Sequence, residues 1–179
     1  MPLTPAATRQ IKHQRRITCD GFLREDGLWD IEAHLTDCKS YTFANRYRGE
    51  IQAGEFLHNM SLRLTLDDNL LIHKIEAVTD DAPFASCPEV EQRFQALQGK
   101  RIIPGWRRQV QKHLGGVKGC THLVDLLSVA ATIAYQTVQP KAPQNNNPPA
   151  LLNSCHAFSA NSEVVKVQWP EHYRAKKTP

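Results

Sequence analysis

Two stretches of period-two alternation, followed by a switch to helical periodicity, constrain this chain more than any other feature. Trp29, Ile31, Ala33 and Leu35 alternate with Asp30, Glu32, His34 and Thr36. Met60, Leu62, Leu64 and Leu66 alternate with Ser61, Arg63 and Thr65. Successive strand side chains point to opposite faces, so each stretch predicts a strand with one apolar face and one solvated face. Glu25-Asp26-Gly27 links the first to a strand over Ile17–Arg24, giving a hairpin across residues 16–37. Asp67-Asp68-Asn69 links the second to a partner strand, Leu71–Val78. The connection Asn45–Glu55, with Gly49 and Gly54, is expected to be a loop.

Helical signals take over after this point. Ser86 and Glu89 have capping-box spacing and Pro88 suits a first turn, so a helix is expected from Cys87 to Gly99. Trp106, Val110 and Leu114 fall at i, i+4 and i+8 of a second helix, which Gly115-Gly116 ends. Leu123, Leu126, Leu127, Ala130, Ile133, Ala134 and Val138 form a broad stripe on a third, from about Thr121 to Gln139. Sheet first and helices after is the order of an α+β domain: an antiparallel sheet of hairpins packed by about three helices. Residues 1–14 are expected to be disordered and 15–139 to form the single α+β domain. The segment 140–150 (PKAPQNNNPPA) has linker composition. Residues 151–179 are expected to be an appendage with a short strand over Glu163–Trp169.

At 179 residues with 41% hydrophobic content, the chain can bury a core as one domain with an appendage. No apolar run approaches the roughly 18 residues of a membrane span. Met1–Arg16 is polar and basic without an apolar segment, so a secretory signal is not expected and the expected compartment is the cytoplasm. The five cysteines (19, 38, 87, 120 and 155) are odd in number and show no CxxC spacing, which argues for free thiols or ligands. The net charge of +4 is uneven. Between Glu91 and Asp125 there is no acidic residue, while Arg93, Lys100, Arg101, Arg107, Arg108, Lys112 and Lys118 fall in that window. This basic region, 93–118, is either a solvated face or a patch for an acidic protein partner or phosphate-bearing ligand. No nucleic-acid module signature accompanies it.

Gly119-Cys120-Thr121-His122-Leu123 is the segment richest in chemistry. A thiol and an imidazole stand two residues apart behind a glycine turn, at the start of the last helix, where a thiol pKa is expected to fall. His58 opens the third strand and Cys87 opens the first helix. All four residues lie at element termini, where groups can converge at one end of a layered domain. Two cysteines and two histidines make a complete tetrahedral set for zinc. Taken singly, Cys87 also suits a small buried hydrophobe, His58 a hydrogen-bonded strand-end histidine and His122 a helix cap. Cys155-His156 is a further thiol–imidazole pair beyond the linker. Asp67-Asp68 and Asp80-Asp81 sit at turns, where aspartate is ordinary. Asp30, Glu32 and His34 share one strand face, either as a carboxylate–imidazole patch or as a solvated surface.

The order of these pieces resembles the U-type iron–sulfur scaffold fold, shared with SufE-type sulfur acceptors. His58 precedes Leu62-Arg63-Leu64-Thr65-Leu66, a hairpin leads to Asp81-Ala82-Pro83-Phe84-Ala85-Ser86-Cys87, the helix runs into Gly99-Lys100, and Val117-Lys118-Gly119-Cys120-Thr121-His122 opens an alanine-rich helix. The likeness spans about residues 50–139. It implies a metal site at His58, Cys87, Cys120 and His122, holding zinc or an iron–sulfur cluster, in a protein that handles metal or matures a partner. Where the scaffolds carry their first cysteine this chain has His58. Where they carry an aspartate associated with cluster release it has Met60, and their adjacent His-Cys pair becomes Cys120-Thr121-His122. These differences shift the expectation toward zinc or a stably held two-iron cluster of mixed ligation. The segments WDIEAHLTD and GCTHL also look like a bacterial family described only as a domain of unknown function. Two other functions fit the residues: a cysteine-dependent enzyme acting on an anionic substrate such as an acyl-CoA, with Cys120 or Cys87 as nucleophile and His122 or His58 as base, and a non-catalytic adaptor with structural cysteines.

Overall fold

A computed structural model describes residues 3–138, 149 and 151–175. The chain divides into two compact units, Met1–Gln139 and Pro140–Pro179. In the first, strands β1 (His13–Leu23), β2 (Trp29–Lys39), β5 (Phe56–Leu66) and β6 (Ile72–Asp81) form a sheet in the order β1-β2-β5-β6. Every neighbouring pair is antiparallel. The expected alternation sets its faces. Ile31, Ala33 and Leu35 of β2 and Met60, Leu62, Leu64 and Leu66 of β5 are buried on one face. The residues between them carry the other face, where Arg63 Nε donates to Glu32 Oε1 at 2.7 Å.

Three helical segments cover the apolar face: a 3-10 helix over Cys87–Leu97, α1 (Trp106–Leu114) and α2 (Thr121–Val138). The stripes expected for α1 and α2 are the ones they bury. Trp106, Val110 and Leu114 face inward from α1, and Leu123, Leu126, Leu127, Ala130 and Ala134 from α2. Among the described residues no helix is long and apolar enough to cross a membrane.

Four expectations need correction. β1 starts at His13, inside the stretch expected to be disordered, because His13 and Gln14 pair with Lys39 and Cys38. Before it, Ile11 and Lys12 are tied down by Ser40, whose hydroxyl and amide donate to their carbonyls. The expected loop at Asn45–Glu55 contains a small hairpin of β3 (Phe43–Asn45) and β4 (Gly49–Ile51). Asn45 Oδ1 accepts from the amides of Tyr47 and Arg48 and so builds its turn. The helix after Ser86 is 3-10 rather than α. The Ser86 side chain makes no capping hydrogen bond, and the Glu89 amide donates to the Ser86 carbonyl in the tighter i→i+3 pattern.

The fourth correction concerns the second unit, where Glu163–Gln168 is helix α3 and not a strand. Three valines in an alternating run suggest a strand, but such a run needs a sheet neighbour to receive it. Here the Ser162 hydroxyl accepts from the Val165 amide and Lys166 reaches back to Glu163, so local capping closes a helix. The linker expected at 140–150 lies outside the described residues apart from Pro149.

One close approach seats α2 on the sheet. Gly21 lies on the covered face of β1, opposite Ile31. A Cβ there would collide with the Thr137 hydroxyl and stand 2.7 Å from Thr137 Cγ2. Thr137 is β-branched and stiff, so it has little room to yield. Gly21→Ala is therefore expected to destabilise the protein by about 1–3 kcal/mol as an overpacking substitution. Thr137→Ala added to the same chain should recover part of that loss. Thermal melts of the single and double variants check both effects.

Candidate metal centre

The alternation that builds the core also delivers a carboxylate and an imidazole into it. The inward register of β2 runs Ile31, Ala33, Leu35 and then Asp37, which is only 1% exposed. That of β5, read toward its start, runs Leu64, Leu62, Met60 and then His58, which is 7% exposed. Asp37 and His58 are direct cross-strand partners, and Asp37 also faces Arg15 of β1. One row across three strands thus reads Arg15, Asp37, His58. The ladder is irregular immediately afterwards, between Asp37 and Cys38, so the row stands at the end of the regular β2–β5 pairing.

Each oxygen of Asp37 is engaged. Oδ1 accepts from His58 Nδ1 at 2.9 Å. Oδ2 accepts from Arg15 Nη2 at 2.6 Å and Nε at 3.1 Å. His13 Nε2 lies 3.6 Å from Oδ1. Burial pulls the Asp37 carboxyl upward, but the hydrogen bonds and charges of His58 and Arg15 outweigh it and hold its pKa below the ordinary value. An ionised carboxylate only accepts, so His58 Nδ1 is the donor of this hydrogen bond and Nε2 lies outside it.

The helical layer supplies the rest. Gly119 passes so close to Leu114 that a Cβ would meet the Leu114 carbonyl oxygen, and the chain then turns into α2. Cys120 stands at that turn, with its carbonyl accepting from the Val124 amide at 2.9 Å. His122 follows in the first turn of α2 and lays its ring over His58, with centroids 3.8 Å apart. Cys120 Sγ is 3.7 Å from His122 Nδ1. Asp37, His58 and His122 each offer a ligand atom within 4.8 Å of the other two. Burial, then the neighbouring charges of His58 and Arg15, push the His122 pKa below its ordinary value of 6.5, so its ring is neutral and has a lone pair to give.

Of the four residues singled out in the sequence, His58 and His122 are stacked and Cys120 touches His122. Cys87 begins the 3-10 helix, half-buried. Burial pushes its thiol pKa up, the Phe84 backbone lowers it and the charge of Cys120 raises it further, so the two thiols feel one another. Cys155 is exposed on the second unit. Two participants were not anticipated, Asp37 and Arg15. The signal for Asp37 was present: it continues the apolar register 29-31-33-35, and a charged residue on a buried strand face is the exception to explain. Arg15 has no comparable sequence signature and emerges only from the β1–β2 register.

The remaining polar features have local duties. Asp30 accepts from Thr65 Oγ1 at 2.6 Å, and His34 Nε2 lies 2.7 Å from Asn59 Oδ1. Together with Glu32 and Arg63 they belong to the solvated sheet face. Asp67 accepts from the amides of Asn69 and Leu71 and shapes its turn. In the basic window, Arg93 donates to the carbonyls of Val117 and Lys118, and Arg101 to that of Asn69.

A family model described as a protein of unknown function, DUF2889, matches residues 13–136. The matched span contains the whole Arg15–Asp37–His58 row together with Cys87, Cys120 and His122. No curated protein and no solved structure matches the chain.

The depressed pKa of His122 makes the fold sensitive to acid. An unfolded histidine takes up a proton near its ordinary value of 6.5, whereas the folded ring resists it until a lower pH. The stability contributed by the neutral ring is thus complete above about 6.5 and is lost as pH falls through the lower folded value. Chelator-treated protein is expected to melt at lower temperature as pH drops from 7.5 toward 5. His122→Asn should flatten that part of the profile, as followed by circular dichroism melts across the range.

Proposed function

We propose, for a chain that belongs to the DUF2889 family, that it is a metal-binding protein whose centre lies between the end of the sheet and the start of α2. His58 would bind through Nε2, the nitrogen that Asp37 leaves free, with His122 and Cys120 beside it and Cys87 as the fourth donor. Asp37 orients His58 from behind, an arrangement common around metal-bound histidines. Zinc suits two imidazoles and two thiolates.

The observation that carries this reading is the meeting of Asp37, His58 and His122, from three separate elements, with a ligand atom of each within 4.8 Å of the other two. The Cys120–His122 separation supports it. Zinc bonds of about 2.0–2.1 Å to nitrogen and 2.3 Å to sulfur, at a tetrahedral angle, set their donors roughly 3.6 Å apart, against the 3.7 Å between Sγ and Nδ1. A neutral His122 needs no deprotonation before it binds. Stability alone does not account for Asp37, since buried ion pairs are often replaced by apolar residues at no cost, or with a gain of about 1–4 kcal/mol.

A site filled by four protein donors leaves no position for a reacting water, so it suits holding or handing on an ion rather than metal-assisted hydrolysis. The scaffold-like order of ligand-bearing turns supports the same end of the domain, with a two-iron cluster as the other occupant of a mixed cysteine–histidine set. Metal analysis of anaerobically purified protein tests this reading. About one zinc per chain, or two irons with cluster absorbance, is expected, falling sharply in Cys120→Ser and His58→Ala. Stripping the metal should lower the melting temperature, because the ion binds only the folded chain. Protein that carries no metal, and takes up none when titrated with zinc or cobalt, would overturn the proposal.

A further inference from the structure

Asp37 is buried in the centre and offers a ligand atom alongside His58 and His122, yet both of its oxygens are already engaged by protein donors. Arg15 places two N–H groups on Oδ2, at 2.6 and 3.1 Å, while Oδ1 takes the proton of His58 Nδ1. On its far side the guanidinium faces a second carboxylate, since Nη1 lies 3.6 Å from Asp125 Oδ2 on α2. Arg15 therefore spans from β1 to the helix that carries His122. A planar guanidinium on a carboxylate is a geometrically specific clamp, and its charge opposes a cation approaching the same oxygen.

We propose that Arg15 sets the metal preference of the centre. By occupying Oδ2 it keeps Asp37 as a hydrogen-bond acceptor for His58 and leaves nitrogen and sulfur as the donors, a set that favours zinc over harder cations such as manganese. Freed of Arg15, the Asp37 carboxylate would turn to the ion as an oxygen ligand, in the manner harder cations require. The inference rests on the metal-binding reading above and adds the residue that tunes it.

Four full-length proteins test it: the unaltered chain, Arg15→Met, Asp37→Asn, and the double variant. Each is titrated anaerobically with Co(II), followed by absorption, and with Mn(II), followed by electron paramagnetic resonance. In the unaltered chain the cobalt spectrum should show thiolate charge transfer and intense tetrahedral bands. Arg15→Met should weaken those bands as an oxygen ligand joins, and should tighten Mn(II) binding about tenfold or more. That gain should vanish in the double variant. Asp37→Asn alone should keep the tetrahedral spectrum while loosening cobalt by about 10–100-fold, the usual loss when an orienting partner is removed. Arg15→Lys, with one charge and no fork, should shift both readouts in the same direction by less, and it serves if the methionine variant does not fold. If the unaltered chain takes up cobalt but neither Arg15 variant changes its spectrum or its manganese affinity, Arg15 does not set the preference. If the unaltered chain takes up no metal, the metal-binding reading fails and this one with it.

Discussion

Everything distinctive about this domain depends on one row of side chains across the sheet, Arg15–Asp37–His58, in which Asp37 and His58 are buried where an apolar face should continue and Arg15 reaches in from the exposed edge strand. Three strands must pair in one register to bring these residues side by side, and the helical layer must close over them. Slipping β2 by one residue would send Asp37 to solvent and bring Thr36 inward, so the apolar pattern of the core enforces the polar row. The core and the centre are two consequences of one register. Sheet pairing positions Arg15, Asp37 and His58 without any loop having to be held in place, whereas the two thiols and His122 depend on how the helical segments begin.

Much of this was legible in the sequence, for a physical reason. Alternation with period two and stripes with period 3.6 report burial directly, and burial decides where strands and helices lie. That is why the β2 and β5 faces and the stripes of α1 and α2 could be named residue by residue. His58, Cys120 and His122 could be picked out by type and by position at element ends. Asp37 is less conspicuous in the sequence than the polar residues of the solvated face, Asp30, Glu32 and His34, whose partners are their immediate neighbours. The charged residue on the wrong face was the informative one. Glu163–Gln168 reads as a strand because three valines imitate one over too few residues for the period to be decisive, while a single serine cap tips so short a segment to helix. The form of the helix after Ser86 depends on whether one hydroxyl turns toward the backbone, which spacing alone does not encode.

The half-buried thiols of the first unit differ in their surroundings. Cys19, packed against the core, has its pKa pushed up to about 11 by burial and by Asp20, so it stays protonated and inert. Cys87 is pushed up as well, by burial first and then by the neighbouring charge of Cys120. A nucleophilic role for Cys87 would need the opposite environment. A neutral His122 beside Cys120 offers a lone pair without adding charge next to Arg15.

The seat of α2 on Gly21 has a mechanical meaning. Thr137, at the far end of the helix, is fifteen residues from His122, or roughly 22 Å along the axis. A rod gripped at one end transmits angle to the other. A few degrees of tilt at Gly21 would swing the His122 ring by about an ångström over that length, enough to disturb its stacking on His58. The missing methyl group of a glycine on β1 thus acts as the bearing that aligns an imidazole on the opposite side of the domain.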